Sequence, residues 1–403
     1  MLGCSTARAD AEARFELIDG DRVVLIGNTF VESDQSHGYL ETLLTARWPD
    51  RTITFRNLGW SGDTVFGEAR ARFGTPADGF QHLKEHVLAL RPTVIFVGYG
   101  ANEAFEGKAG LPRFLEGLNR LLEVLDATKA RVIFLSPIPQ EDLGRPLPEP
   151  RRHNHDLRLY RDALKTVASK RGNVFIDMYE LLGDGAKWPL AHPLTDDSIH
   201  LTAYGYWNAA QAVAMGLSLE PPKWRVAIGP EGKVEFERGT KVTNVRMKKD
   251  ALRFEARDTT LPGLPIMEGG PPGGLMSWGP MPVLQVRGLA PGHYRLAIDG
   301  KPKDSHDAQG WASAIPIVIS PPEYDQVEQL RQATVVKNRL YFYRWRPQNE
   351  TYLFGFRKHE QGQNAREIPL FDPLVEEQEK VIARLRVPFS HVYELTRENE
   401  VAQ

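Results

Sequence analysis

Thr93-Val94-Ile95-Phe96-Val97-Gly98-Tyr99-Gly100-Ala101-Asn102-Glu103 decides the fold. A short apolar, β-branched run that ends abruptly in glycines reads as a strand covered on both faces. The glycines and the asparagine behind it read as a loop at the strand's carboxyl end. The same signature recurs at Arg22–Ile26, Thr52–Asn57, Arg131–Leu135 and Val174–Asp177. Between these runs the apolar spacing turns helical. Phe80, Leu83, Val87 and Leu90 share one face, as do Leu111, Phe114, Leu115, Leu118, Leu121, Leu122 and Leu125. Tyr204–Leu217, with Trp207, Ala210, Val213 and Ala214, closes the region. Strands that alternate with helices imply a parallel sheet with helices on both sides, so residues 20–218 read as an α/β domain.

At Pro221-Pro222 the pattern changes. Lys223–Ile319 is rich in Gly, Pro and alternating runs, and Tyr294–Ile298 sits between the turn signals Pro291-Gly292 and Asp299-Gly300. Gly269-Gly270-Pro271-Pro272-Gly273-Gly274 reads as a loop. Residues 219–320 are therefore expected to form a small β domain, sandwich-like. Residues 321–403 turn helical again, and Asp372-Pro373 predicts an N-cap with Pro at the first helical position, opening a helix through Leu374, Val381, Ile382 and Leu385. No internal repeat is present.

Composition narrows the class. Across 403 residues, 41% hydrophobic and 25% charged content is enough to build a core without disulfides or metals. Fifty Lys and Arg against 52 Asp and Glu leave a formal charge of −2, so no global field draws nucleic acid or an anionic membrane. No apolar run approaches the roughly 18 residues of a membrane span. The single cysteine, Cys4, excludes an internal disulfide. Met1-Leu2-Gly3-Cys4-Ser5 resembles the tail of a bacterial lipoprotein signal, and Ala9-Asp10-Ala11 fits a small-residue cleavage site. Residues 1–19 read as an export-signal remnant or a disordered start. The first reading predicts an exported protein, periplasmic or extracellular, with a lipid anchor at Cys4 and a start codon placed too far downstream.

Ligands of parallel sheets bind beyond the strands' carboxyl ends. Those ends carry Gly27-Asn28-Thr29, then Asn57-Leu58-Gly59-Trp60-Ser61-Gly62-Asp63-Thr64, then Gly98 to Glu103; Asp197-Ser198-Ile199-His200 precedes the last helix. Together they offer a hydroxyl, a glycine amide, a side-chain amide and an Asp/His pair, the inventory an acyl-transfer site needs. In this order the segments resemble the blocks of the SGNH (GDSL-type) hydrolases over residues 20–218. Gly27-Asn28-Thr29 stands for that family's Gly-Asp-Ser, Gly62 for its second-block glycine, Gly100-Ala101-Asn102 for its Gly-x-Asn, and Asp197 and His200 for its Asp-x-x-His. The resemblance implies a flavodoxin-like three-layer α/β/α domain and ester hydrolysis. Thr29 would be the nucleophile, His200 the general base and then acid, and Asp197 its orienting carboxylate. The amides of Thr29 and Gly62 and the Asn102 side chain would form the oxyanion hole. The departure lies in block one, where Thr29 keeps a hydroxyl but adds a methyl that restricts χ1 and crowds attack. Ser61 lacks the G-x-S-x-G elbow spacing and reads as a loop residue supporting Gly62.

Asn28, Trp60, Tyr99 and Glu103 are the expected substrate contacts at the strand ends. Asn338–Asn364 interleaves Tyr341, Phe342, Tyr343, Trp345, Tyr352, Phe354 and Phe356 with Arg344, Arg346 and Arg357. Such a segment suits stacking on sugar rings or docking on the α/β domain; docking is the expectation, with a mixed alternative in which the segment also returns to build one wall of the cleft and Arg344, Arg346 and Arg357 contact substrate. His82 and His86 share a helix face, but no third zinc ligand accompanies them. The expected function is hydrolysis of an acylated carbohydrate or a similar small ester, without metal or organic cofactor and without nucleic acid as partner. The rivals are a non-catalytic carbohydrate- or polymer-binding protein and an acyltransferase.

Overall fold

The structure, a computed structural model, describes residues 15–183, 192–265, 267, 281–317, 322–360 and 364–398. Cys4, the small-residue site at Ala9–Ala11 and the Gly269–Gly274 loop lie outside them. Five parallel strands form the central sheet: β1 (Arg22–Gly27), β2 (Thr54–Asn57), β3 (Val94–Gly98), β4 (Arg131–Leu135) and β5 (Val174–Ile176), in the order β2-β1-β3-β4-β5. Alternate residues feed two cores. Val23, Leu25, Phe96 and Ile133 face α2 (Tyr39–Arg47), α6 (Met178–Leu182) and α7 (Ala203–Gly216). Val24, Ile26, Ile95 and Phe134 face α3 (Pro76–Ala89), α4 (Gly107–Asp126) and α5 (Arg151–Arg171). Period-2 side chains buried on both faces explain why these strands read as continuous apolar runs. Helix α1 (Thr29–His37) follows β1 directly. Strand order reverses between β1 and β3, the topological switch point of such a sheet. There Gly27 pairs with Gly98, and a Cβ on Gly27 would come within 2.5 Å of the Gly98 carbonyl.

The β domain is a sandwich of two sheets around one core. One sheet has the order β13 (Ile315–Pro316), β10 (Val283–Val286), β6 (Arg225–Ile228), β7 (Val234–Arg238). The other runs β12 (Lys301–Asp307), β11 (His293–Ile298), β14 (Ser390–Arg397), β9 (Ala251–Asp258), β8 (Thr240–Lys248), and a short α8 (Ala308–Ala312) follows β12. The C-terminal segment is helical as expected, and strand β14 follows its helices and returns the chain to the β domain. Strand β14 lies between β9 and β11, with His391, Tyr393 and Leu395 buried on its inner face.

Helices α9 (Glu323–Trp345), α10 (Glu350–Leu353) and α11 (Phe371–Leu385) precede that strand, and α9 packs on α1, α2 and β2. Lys337 anchors it, buried with its ammonium 2.7 Å from Glu41 and 3.1 Å from the Phe55 carbonyl. Helix α11 starts one residue before Asp372 and has no side-chain cap. The preceding turn, Asn364–Leu370, is already helical, so the chain enters without needing an N-cap; the Asp372 carboxylate accepts from Arg344 at 2.8 Å instead.

Candidate active site

Asn28 leaves β1 in an extended conformation and caps α1, its side-chain oxygen accepting from the Phe30 amide at 3.2 Å. Asparagine serves this role about as well as aspartate. Thr29 is thereby the first residue of α1, and its hydroxyl oxygen accepts from the Gly62 amide at 3.3 Å. The loop after β2 is pressed onto this helix. Asn57 donates to the Val31 carbonyl at 2.6 Å and accepts from the Gly59 amide at 2.8 Å. A Cβ on Gly59 would sit 2.3 Å from the Glu32 nitrogen, and Gly62 has φ +77°, so both positions call for glycine.

The loop after β3 is tied to the same place. Asn102 donates one amide hydrogen to the Asp63 carbonyl at 2.7 Å, which leaves its second hydrogen for a ligand. Below it, Asp63 and Arg70 form a fully buried ion pair at 2.6 Å, and the Tyr99 hydroxyl donates to Asp63 at 3.0 Å. Glu103 accepts from the Val65 and Gly100 amides, each at 2.8 Å. Burial outweighs those bonds and pushes its carboxyl up to about 7.

The Asp/His pair is built on a loop before α7. His200 Nδ1 lies 2.6 Å from Asp197 Oδ2, while Asp197 Oδ1 accepts from the Ile199 and His200 amides at 3.0 and 2.7 Å. Partial burial disfavours the charge, but the imidazole and the two amides outweigh it and hold the carboxyl at about 2. Asp197 is then an acceptor only at neutral pH, so Nδ1 carries the proton and Nε2 of the neutral ring is free to accept one. Glu141 pins this loop: it accepts from the Leu194 and Thr195 amides at 2.9 and 2.7 Å, and its own amide donates to the Ser198 carbonyl at 3.1 Å.

Asn28, Thr29, Asn102 and His200 line one cavity of about 100 Å³, open to solvent on one side. Its remaining wall is mainly apolar, with Phe105, Ile138, Leu157, Ile199 and Leu201, and His153 stacked on Phe105 at 4.1 Å. No hydrogen bond joins the Thr29 hydroxyl to His200 among the described residues. An alcohol, an imidazole held in one tautomer and neutral N–H donors around one mainly apolar hollow are the groups needed to open a carbonyl bond.

Residues 25–207 match the GDSL-like Lipase/Acylhydrolase family. The match runs from β1 into α7 and takes in Thr29, Gly62, Asn102, Asp197 and His200. A gut microbial diltiazem-metabolizing enzyme superposes with a TM-score of 0.72 at 15% identity, over 95% of this chain and 99% of that one. That likeness shows a shared fold, spanning the sandwich and the C-terminal helices as well as the α/β/α layers. An acetylxylan esterase from Geobacillus stearothermophilus matches at 18% identity, covering 51% of this chain and 98% of its own, with a TM-score of 0.40. An alpha/beta hydrolase enzyme from the metagenome of Lake Arreo, Spain, matches at 20% identity, covering 50% and 97%, with a TM-score of 0.39. No curated protein matches the chain.

Within the acylhydrolase-like region, several expected substrate contacts lie elsewhere. Trp60 is buried edge-on against Trp345. Tyr99 and Glu103 point inward as braces. The three arginines expected to contact substrate are each paired with a carboxylate: Arg344 with Asp372, Arg346 with Glu32 and Arg357 with Glu360. None of these six lines the cavity. His86 is half-buried against Trp345, and desolvation first, then Arg70 and Arg72, push it down to about 4. His82 instead meets the Arg70 carbonyl at 2.9 Å. Among the described residues no cluster of three His, Cys, Asp or Glu side chains is arranged for a metal. The cavity residues that sequence reasoning missed include Ile138, on the loop after β4. That loop obeys the same strand-end rule as its neighbours and was open to the same reading. Tyr206, whose hydroxyl donates to the Phe30 carbonyl at 3.0 Å, was hidden inside a uniformly apolar helix.

Proposed function

We propose that this chain is an ester hydrolase that uses Thr29 as nucleophile. His200 Nε2 takes the Thr29 proton as the oxygen adds to the ester carbonyl. The amides of Thr29 and Gly62 and the free hydrogen of Asn102 stabilise the resulting oxyanion. Collapse breaks the ester C–O bond, and His200 passes the proton to the departing alcohol. Water then attacks the acyl-threonine and gives a proton to His200; as the acyl–oxygen bond breaks and the acid leaves, His200 returns that proton to the Thr29 oxygen. Asp197 keeps the imidazole in the tautomer both steps require. The observation that carries this reading is the common cavity shared by Thr29, Asn102 and the Asp197-supported His200, with the Gly62 amide already directed at the Thr29 oxygen.

The cavity wall favours a small uncharged ester with an apolar portion. The aromatic and arginine segment that suggested a carbohydrate does not contribute to that wall, so an acylated sugar retains support only through its acyl group.

A second reading, a binding protein without turnover, draws on the Thr29 hydroxyl being engaged by Gly62 and not by His200. Hydrolysis of 4-nitrophenyl acetate by the wild type, Thr29→Ala, Thr29→Ser and His200→Ala separates them. Parallel loss in Thr29→Ala and His200→Ala, with an acyl group found on Thr29 by mass spectrometry, is the expected result. An inactive wild type beside an active Thr29→Ser would favour binding. Full activity in Thr29→Ala would remove Thr29 from the mechanism. An acyltransferase would show product partitioning to added alcohols over water.

A further inference from the structure

Glu32 stands where three distant parts of the chain meet. It lies in the first turn of α1, and its Oε2 accepts from the Ser61 amide at 2.6 Å. The same oxygen accepts from Arg346, at the end of α9, at 2.7 Å. Ser61 immediately precedes Gly62, whose amide faces the Thr29 oxygen. The Arg346 guanidinium also lies 3.6 Å over the Trp60 ring, and Trp345 meets the same ring edge-on at 5.8 Å. Arg346 thus holds the Trp60–Gly62 loop from two sides: through the Glu32 carboxylate that accepts from Ser61, and by stacking on the Trp60 indole. Both partners of the ion pair are mostly covered, with 22% and 19% side-chain exposure, so the bond is charge-assisted and poorly screened. Neither residue lines the cavity.

We infer that Arg346 and Glu32 are positioning residues that set the Gly62 amide for oxyanion stabilisation, which gives the C-terminal segment a part in the reaction without touching substrate. The inference rests on the ester-hydrolase reading. Its physical basis is that an oxyanion donor helps only when fixed beforehand within hydrogen-bond reach of the developing charge. A loop whose tip is a glycine at φ +77° does not hold such a position by its own torsional preference. Arginine suits this place because a planar guanidinium can stack on an indole while donating in its own plane.

The test compares the full-length wild type with Arg346→Ala, Arg346→Lys and Glu32→Ala, using 4-nitrophenyl acetate kinetics and hydrogen exchange of the peptide spanning 58–63. Arg346→Ala is expected to lower kcat about tenfold, less than the ~10²–10³ of deleting a donor outright, with KM changed less than about twofold. Exchange in 58–63 should rise by about tenfold while other segments keep wild-type rates, because only local opening changes. Arg346→Lys should recover part of both effects, and Glu32→Ala should match Arg346→Ala. Wild-type kcat and wild-type exchange in Arg346→Ala would overturn the inference, as would a kcat loss accompanied by faster exchange throughout the chain. If the wild type hydrolyses no ester, the exchange measurement still decides the clamp. Acceleration confined to 58–63 would support it while the hydrolase reading fails, and unchanged exchange would end it.

Discussion

Replacing Lys337 with methionine tests whether the C-terminal segment is part of the α/β domain's own stability. The ammonium is 1% exposed and lies 2.7 Å from Glu41, itself buried on α2. Burial raises the Glu41 carboxyl, and Lys337 is the largest influence opposing that rise. Burial likewise lowers Lys337, and Glu41 is the main influence holding it charged. Asp34, on α1, shares the region and is pushed up to about 7, first by burial and then by Glu41. Methionine approximates the stem of lysine but leaves Glu41 unpaired in a dry site. Breaking a buried pair from one side costs about 3–5 kcal/mol. Glu41 escapes part of that cost by taking a proton. Its folded pKa then stands above the unfolded value, so the variant should be least handicapped in acid and lose stability as pH rises. A carboxyl that stays protonated only when folded costs about 1.4 kcal/mol of stability per pH unit above its unfolded pKa, or about 4 kcal/mol between pH 5 and 8. Urea unfolding at both pH values reads this directly. The expected deficit against wild type is about 5 kcal/mol at pH 8 and about 1 kcal/mol at pH 5, largely recovered by Glu41→Leu in the same chain. A deficit independent of pH, or a double variant no better than Lys337→Met, would refute the pairing argument.

Two further outcomes follow from the site. Glu103 has its carboxyl raised to about 7 by burial, so it stabilises the fold below its unfolded pKa and that contribution fades as pH rises through 7. Glu103→Gln should therefore flatten the fall in unfolding free energy between pH 5 and 7, measured by urea titration at half-unit steps; an unchanged slope would show that Glu103 does not titrate there. Asp197→Asn should lower kcat by roughly 10²–10⁴ through loss of the imidazole tautomer, while costing less than about 1 kcal/mol of stability because the pair is half exposed and screened. A kcat within threefold of wild type would remove Asp197 from the mechanism.

The central sheet was legible because its strands are buried on both faces, which leaves uninterrupted apolar runs. Arg131–Leu135 matches β4, and Thr52–Asn57 overreaches β2 by two residues where the chain is still bending into the sheet. Helix α5 was harder. It is mostly polar, and its burial rests on the narrow stripe Leu157, Tyr160, Leu164 and Ala168. Strand β14 alternates clearly, but its partners β9 and β11 lie far back in the chain, and no local signal names a partner. At the site, residue types marked the hydroxyl, the imidazole pair and the amide donors, since chemistry restricts what can stand there. Which way a side chain turns is set by packing. Trp60, Tyr99 and Glu103 are loop neighbours of the donors yet face the core, and Arg344 and Arg346 found carboxylates, Asp372 and Glu32, that no local spacing assigns, whereas Arg357 took Glu360 three residues on.

Set beside the Asp-Ser that the resemblance to the SGNH hydrolases leads one to expect, Asn28-Thr29 changes less of this architecture than its position suggests. The residue at 28 must cap α1, and Asn28 does so through its side-chain oxygen. The residue at 29 must begin the helix and offer an oxygen to the Gly62 amide, and Thr29 does both. Neutral Asn28 also lines the cavity, where an ionised aspartate would place a negative charge beside the position proposed for the oxyanion. The γ-methyl of Thr29 adds bulk to a wall that is already apolar and restricts the hydroxyl to fewer rotamers. The pair is thus consistent with the helix cap, the donor geometry and the electrostatics at once, and its cost falls on the approach of the acyl carbonyl, where a smaller acyl group suffers least.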